Sequence, residues 1–399
     1  MNMPITTIKL LWILVLAHIV ITWVLAIRRG LRARQSDKEQ PTRQAIDLPP
    51  VSIIVPAWNE KGTIEPCARS LQAIDYPDWE AIILAGGDDG TYEISKQIVD
   101  GDNRFRVIER GPEPKNVALT RGFEVARYDV LVILDADSIV ETGWLTALVT
   151  PLLEGAAASF GMHQPITKTW ISMAEYMDVF LAYHILGTEL AQGCSSLAIW
   201  RTKMNEIGPL PTNAFSWEDW DIAVRLVNAG ESVCFAPKAR LLTSRPSSLK
   251  EYWNIIVRSY TSHLAGMWHH RAVFFKRSVW AIRELYFTVF STALVLATMG
   301  GIVTIIINPM SAPTIFMLAI ILAVWIAGRR AAIGAEIATY TSDPAWLLHA
   351  WAPVALLPVQ FAAASLALLR VRRQPSFDYK GPRTVPLSEI EDNSKVYSK

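Results

Sequence analysis

The sequence predicts an α/β domain with a parallel sheet covered on both faces, set between apolar helices that reach into a membrane. Short apolar and β-branched runs at Val51–Val55, Ala81–Ala85, Arg106–Ile108 and Val130–Leu134 alternate with helix-like segments at Thr63–Ile74, Tyr92–Val99 and Asn116–Arg127. Continuous apolar strands separated by helices are buried on both sides, which is the habit of parallel sheets. The apolar run Ile8–Ile27 is long enough to cross a bilayer at about 1.5 Å of helix rise per residue. A composition of 51% hydrophobic and 19% charged residues leans the same way.

Arg28, Arg29, Arg32 and Arg34 directly follow the first apolar run. Basic residues stay in the cytosol, so residues 1–30 read as a transmembrane anchor with the N-terminus outside. No small-residue cleavage site follows, which argues against a cleaved leader. Residues 31–50 lack periodicity and end in Pro49-Pro50, as a linker does. The α/β pattern then occupies 51–246, continuing through a helix near Trp220–Ala229 and a strand near Ser232–Phe235.

Beyond it, Leu249, Tyr252, Trp253, Ile256, Tyr260 and Leu264 recur at three- and four-residue steps. Residues 247–281 therefore read as amphipathic interfacial helices. Residues 282–370 form the C-terminal membrane region, in which Ala281–Ile307 and Ala312–Ala327 make a hairpin around Asn308-Pro309. Lys276, Arg277 and Arg283 before it, and Arg329 and Arg330 after it, keep both ends cytosolic. Ala345–Leu369 either crosses or re-enters, since Pro353 and Pro358 interrupt it. Residues 371–399 read as a cytosolic tail.

Several classes fall away. A net charge of +1 offers no bulk positive field for nucleic acid. Cys67, Cys194 and Cys234 are too scattered for a zinc site or a disulfide framework. The first strand lacks the Gly-x-Gly-x-x-Gly loop of dinucleotide dehydrogenases. Apart from Glu284, Glu336 and a few histidines, the spans carry few polar groups with which to move a solute.

Chemistry concentrates where strands end, because α/β sheets bind ligands beyond the carboxyl ends of their strands. Asp135-Ala136-Asp137 leaves the buried run Val130–Leu134 directly. Carboxylates so placed suit a hard cation such as Mg2+ or Mn2+, which takes oxygen ligands and keeps positions for substrate phosphates. Trp217-Glu218-Asp219-Trp220-Asp221 opens a helix, where acidic residues serve either as caps or, if turned into a cleft, as a general base.

In this order the segments resemble glycosyltransferase family 2, the inverting enzymes with a Rossmann-like GT-A fold, over about Val51–Pro246. Val51–Glu60 is similar to the family's opening strand and Pro-x-x-Asn-Glu turn, and Pro114–Gly122 to its Gly-Lys-x-x-Ala-Leu-Asn-x-Gly segment. Asp135-Ala-Asp137 falls at the metal motif, Gly193–Arg201 resembles the acceptor-side loop and strand, and Glu218-Asp219 occupies the base motif. The resemblance implies Asp219 as general base supported by Glu218, and Asp137 as metal ligand with Asp135 on the metal or the donor. Pro56, Ala57, Glu60 and Lys115 would line the nucleotide-sugar pocket, with Asp88 or Asp89 reaching the base. His163, Gly193 and Arg258 are the positions where acceptor or phosphate contacts are expected.

The chain departs from the family twice. The usual Asp-Asp pair is displaced, the chain reading Ala85-Gly86-Gly87-Asp88-Asp89, and no Gln-x-x-Arg-Trp stands on the interfacial helix. The expectation is an integral protein of the cell or inner membrane with a cytosolic catalytic domain. It would take Mg2+ or Mn2+ and pass a sugar from a nucleotide-diphosphate donor to a lipid, polyprenyl phosphate or lipid-linked glycan. A processive polysaccharide synthase and a non-catalytic nucleotide-binding membrane scaffold are the alternatives.

Overall fold

The computed structural model describes residues 5–38, 48–185, 188–189, 191, 193–212, 218–270, 300–301 and 303–370. Linker residues 39–47, most of the first arm of the expected hairpin and the tail 371–399 lie outside them. In chain order the elements are α1 (Ile5–Lys38), β1 (Val51–Trp58), α2 (Ile64–Gln72), β2 (Trp79–Gly86), α3 (Thr91–Ile98), β3 (Phe105–Glu109) and α4 (Lys115–Val125). Next come β4 (Val130–Leu134), β5 (Ser138–Val140), α5 (Trp144–Leu153), β6 (Ala158–Pro165) and α6 (Trp170–Tyr183). The two-residue strands β7 (His184–Ile185) and β8 (Thr188–Glu189) pair with each other. After them follow β9 (Ser196–Trp200), α7 (Arg201–Ile207), α8 (Glu218–Asn228), β10 (Val233–Thr243) and α9 (Leu249–His269).

The main sheet has eight strands in the order β3-β2-β1-β4-β9-β6-β10-β5. The β3-β2-β1-β4 half is parallel, as the apolar runs predict. The whole sheet is mixed, because β9 runs antiparallel to both β4 and β6. That reversal has a geometric consequence. β4, β6 and β10 finish at the same end as β1 and β2, while β9 starts there, so Leu134 stands opposite Ser196. The segments that follow β1, β2 and β4 and the one that precedes β9 therefore emerge on one rim of the sheet.

Alternation along the strands supplies both faces with apolar surface. Ile54, Ile82, Leu84 and Ile133 pack on one face against Leu119, Phe123, Tyr176, Phe180 and Ile222. Ile53, Val55, Ile83 and Leu134 pack on the other, against Cys67, Leu71, Trp144 and Leu148. The first cluster extends into Ile333, Ile337 and Trp346, so the membrane-side helices share its core.

α1 and the segment Pro309–Thr341 are each long and apolar enough to cross a membrane. They pack together, with Gly328 against Ile19 and Gly30 against Thr339, the close approach that small residues permit. Arg29 Nε and Nη2 donate to Glu336 Oε1 and Oε2 at 2.7 and 2.6 Å. The contacts advance in step along both helices, so the two run parallel. Residues 345–370 form Ala345–Leu348, Ala352–Ala355 and Leu357–Arg370, bent by 51° at the break after Ala355. Pro353 and Pro358 each sit in the first turn of a new piece, where a missing N–H costs nothing.

Candidate functional site

Asp135 and Asp137 stand in the turn between β4 and β5, closed by Ser138 N–H to Asp135 O at 3.1 Å. Asp135 N–H donates to Ser195 O at 3.0 Å, which locks this turn to the start of β9. One residue earlier, Cys194 N–H donates to Asp219 Oδ2 at 2.8 Å. One earlier still, Gly193 O accepts from Arg245 Nη2 at 3.2 Å, Gly193 itself having φ +68°. Residues 193–195 thus tie the Asp-x-Asp turn, the first turn of α8 and the end of β10 together by backbone groups. β10 adds a further tie: Thr243 Oγ1 donates to Asp137 Oδ1 at 3.2 Å.

Lys115 spans the acidic segments. Its Nζ lies 2.6 Å from Asp135 Oδ1 and also pairs with Glu218 Oε1. Burial opposes its charge, yet Asp135 and Glu218 outweigh burial and hold the ammonium well above its usual range. Burial raises the Asp135 carboxyl, and Asp137 and Glu218 add to that rise against the pull of Lys115. Asp219 is pushed up to about 6, first by burial and then by Glu218, while the N–H groups of Trp220 and Cys194 pull the other way. A carboxylate made more basic in this way is a better proton acceptor near neutral pH.

At the β1–β2 end, Pro56 and Ala57 are buried strand residues. Glu60 Oε2 accepts from Thr63 Oγ1 at 2.7 Å. Asp89 is committed to the chain, accepting from Lys61 N–H at 3.0 Å and from Thr91 N–H and Oγ1 at 3.0 and 2.6 Å. Burial resists ionisation there, but those bonds prevail and hold its carboxyl below the usual range. Asp88 is the exposed member, its N–H donating to Asn59 Oδ1 at 2.9 Å. Gly86 and Gly87 precede them for steric reasons: a Cβ at 86 would lie 2.2 Å from Arg110 O, and one at 87 would lie 2.0 Å from Asn59 Oδ1. Arg110, itself buried, stacks 5.3 Å from the Trp58 ring at this rim.

His163, on β6, is fully buried. Its Nε2 meets Arg245 Nη2, a pure donor, so Nδ1 carries the proton and faces Tyr183 Oη at 3.2 Å. Burial, then Arg245, keeps the ring neutral, well below the usual histidine range. Arg245 also pairs with Glu175 at 3.1 Å. Arg258 lies on the exposed side of α9, where its charge is felt by Glu175. Thr243 and Arg245 escape the sequence reading; the visible signal is their position at, and just past, the end of β10, on the same rim as the Asp135–Asp137 turn.

Among the described residues no group of three or more His, Cys, Asp or Glu side chains forms a ready cation cage. The donor set still fits Mg2+ or Mn2+, which bind through one or two carboxylates and complete their shell with phosphate oxygens and water. Asp135 and Asp137 supply that pair at one turn.

Comparison with known proteins finds a family match over part of the chain. Residues 52–203 match Glycosyl transferase family 2. They form a glycosyltransferase family 2 domain. Glycosyltransferase AglE of Haloferax volcanii is 26% identical over 197 residues, 47% of this chain and 65% of that protein. The probable glycosyltransferase YdaM of Bacillus subtilis is 24% identical over 269 residues, 61% and 63% of the two chains. The chain thus spans less than two-thirds of the length of these relatives. The mannosyltransferase PcManGT of Pyrobaculum calidifontis, solved with GDP-Man and Mn2+, superposes with a TM-score of 0.52 at 18% identity over 92% of this chain and all of that one. It shares the GT-A fold. The family 2 match ends at residue 203, so Glu218 and Asp219 enter the site through the fold alone.

Proposed function

We propose that this chain is a membrane-bound inverting glycosyltransferase that transfers one sugar from a nucleotide-diphosphate donor to a lipid, polyprenyl phosphate or lipid-linked glycan. The observation that carries it is the junction at residues 193–195, which joins the Asp135–Asp137 turn to Asp219 through Cys194 N–H at 2.8 Å. The link supports reading the acidic turn as the donor side and Asp219 as the acceptor side of one site.

In this reading Pro56, Ala57 and the exposed Asp88 would border the nucleotide, and Asp135 and Asp137 would hold a divalent ion. That ion, Mg2+ or Mn2+, supplies neutralising charge for the departing diphosphate. Lys115 keeps Asp135 and Glu218 from repelling one another and faces the phosphates. Asp219 accepts the acceptor hydroxyl's proton, its orientation fixed by Cys194 N–H, as the oxygen attacks the anomeric carbon opposite the diphosphate. Bond formation and loss on opposite faces invert that centre. Arg245 positions the loop at Gly193 through its carbonyl.

The basic residues Arg28, Arg29, Arg32 and Arg34 near the end of α1 support a cytosolic catalytic domain with the N-terminus outside. A fit to PcManGT makes GDP-mannose with Mn2+ a sensible first probe, followed by UDP-sugars. Purified protein is expected to gain thermal stability from the right nucleotide sugar only with divalent ion, and to lose that gain in a chelator. Membranes carrying the chain should then yield an organic-extractable labelled product. High polymer as the sole product would instead establish a processive synthase.

A further inference from the structure

The first turn of α8 is keyed into the interfacial helix α9 at one point. Trp220, only 2% exposed, lies over Gly266, where a Cβ would come 2.8 Å from Trp220 Cζ3. One turn to either side, the rings of His263 and His270 flank the indole at centroid distances of 5.8 and 5.5 Å. The next residue of α8 makes a polar link to the same helix: His270 Nε2 lies 2.7 Å from Asp221 Oδ1. A carboxylate only accepts, so Nε2 carries the proton and donates. The other Asp221 oxygen pairs with Arg225 at 2.6 Å, and Arg225 Nη1 holds the carbonyls of Ile207, Gly208 and Pro209.

These contacts immediately follow Glu218 and Asp219 in sequence. α9 is in turn fastened to the membrane-side helix Leu357–Arg370, where Gln360 Nε2 donates to Tyr252 Oη at 2.8 Å. The chain beyond His270 leads into residues 281–307, read from the sequence as a span.

We infer that α9 is a positioning lever: the Trp220–Gly266 notch and the His270–Asp221 bond transmit the seating of α9 against the helix Leu357–Arg370 to the carboxylates Glu218 and Asp219. This rests on the reading of Asp219 as the base. His270 and Gly266 contact Asp221 and Trp220, and act through the placement of α8. A displacement of about 1 Å at a reacting group is enough to cost about 100-fold in rate.

The test uses the full-length chain in lipid nanodiscs and compares His270→Ala, Gly266→Ala and His270→Gln. Hydrogen exchange is expected to accelerate several-fold in the peptide covering 218–228 for the first two variants, with the β1–β4 region unchanged. His270→Gln, whose amide restores a donor to Asp221, should return exchange to the parental rate. With GDP-mannose or a UDP-sugar and Mn2+ on native membranes, kcat should fall about 10- to 100-fold in His270→Ala while the donor KM stays within about twofold. Unchanged exchange of 218–228 in both disrupting variants overturns the lever, whichever sugar is the donor. Equal losses of kcat and donor affinity, unrescued by His270→Gln, overturn it too. Asp219→Asn is run alongside: if it stays active, the base assignment fails while the exchange result still judges the lever.

Discussion

Asp219 combines burial, a like-charged neighbour and a fixed orientation, which makes its chemistry testable in more than one way. Asp219→Asn should lower kcat by about 10² to 10⁴ while leaving calorimetric binding of nucleoside diphosphate with Mn2+ near normal. With its carboxyl pushed up to about 6, the active ionised form is lost as pH falls through that value, so the acid limb of kcat/KM should centre near 6. The stability sign is opposite. Between the ordinary value of 3.8 and about 6, the folded chain keeps a proton that the unfolded chain releases, so stability drops as pH rises through that window. Above it, Asp219→Asn should therefore melt higher than the parent in differential scanning fluorimetry. Lys115→Ala removes a charge that holds Asp219 down, and should move the acid limb upward. The carboxylates were legible from sequence because strand-end and helix-start contexts mark them. Arg245 and Thr243 were not, since a lone cation or hydroxyl at the end of a strand has no pattern until the strand order is known. Likewise, only the turn geometry separates the committed Asp89 from the exposed Asp88.

At the scale of elements, glycines mark where the sheet and its helices approach most closely. Gly122 of α4 rests on β1, where a Cβ would lie 2.5 Å from Ile54 Cγ2 and 3.1 Å from Leu84 Cδ1. Gly122→Val should destabilise the fold by about 1–3 kcal/mol through overpacking, read as a lower denaturant midpoint with unchanged slope. Gly122 belongs to the Lys115-bearing segment, so its position in the sequence pattern has a packing cause as well as a chemical one. The parallel half of the sheet was legible because its strands are built on short apolar and β-branched runs. The reversal of β9 was not, because periodicity reports which residues are buried and says nothing of strand direction.

For the molecule as a whole, α1 and the segment Pro309–Thr341 are joined by apolar packing and the Arg29–Glu336 pair, in which Glu336 is fully buried. Removing one partner strands the other, so Arg29→Met should lower the melting temperature in detergent more than the double variant Arg29→Met/Glu336→Gln. The expected orientation is checked by accessibility: a cysteine replacing Thr6 should react with an impermeant maleimide from outside intact cells, and one replacing Ser247 only after permeabilisation. The first anchor was legible as a hydropathy run flanked by arginines. Its partner helix was legible too, though the boundary near 327 fell short of Thr341, since Arg329 and Arg330 look like a terminus until their partners are seen. Arg330 in fact pairs with Asp178 of α6.

The Arg29–Glu336 bond also dictates an order of events during synthesis. Its partners are 307 positions apart in the chain, so at ribosomal speeds of about 5–20 residues per second the first helix would wait roughly 15–60 s in the lipid before its counterpart is made. Through that interval Arg29 would have only headgroups and water to satisfy it, and the clasp between the two helices closes only once Glu336 has been made.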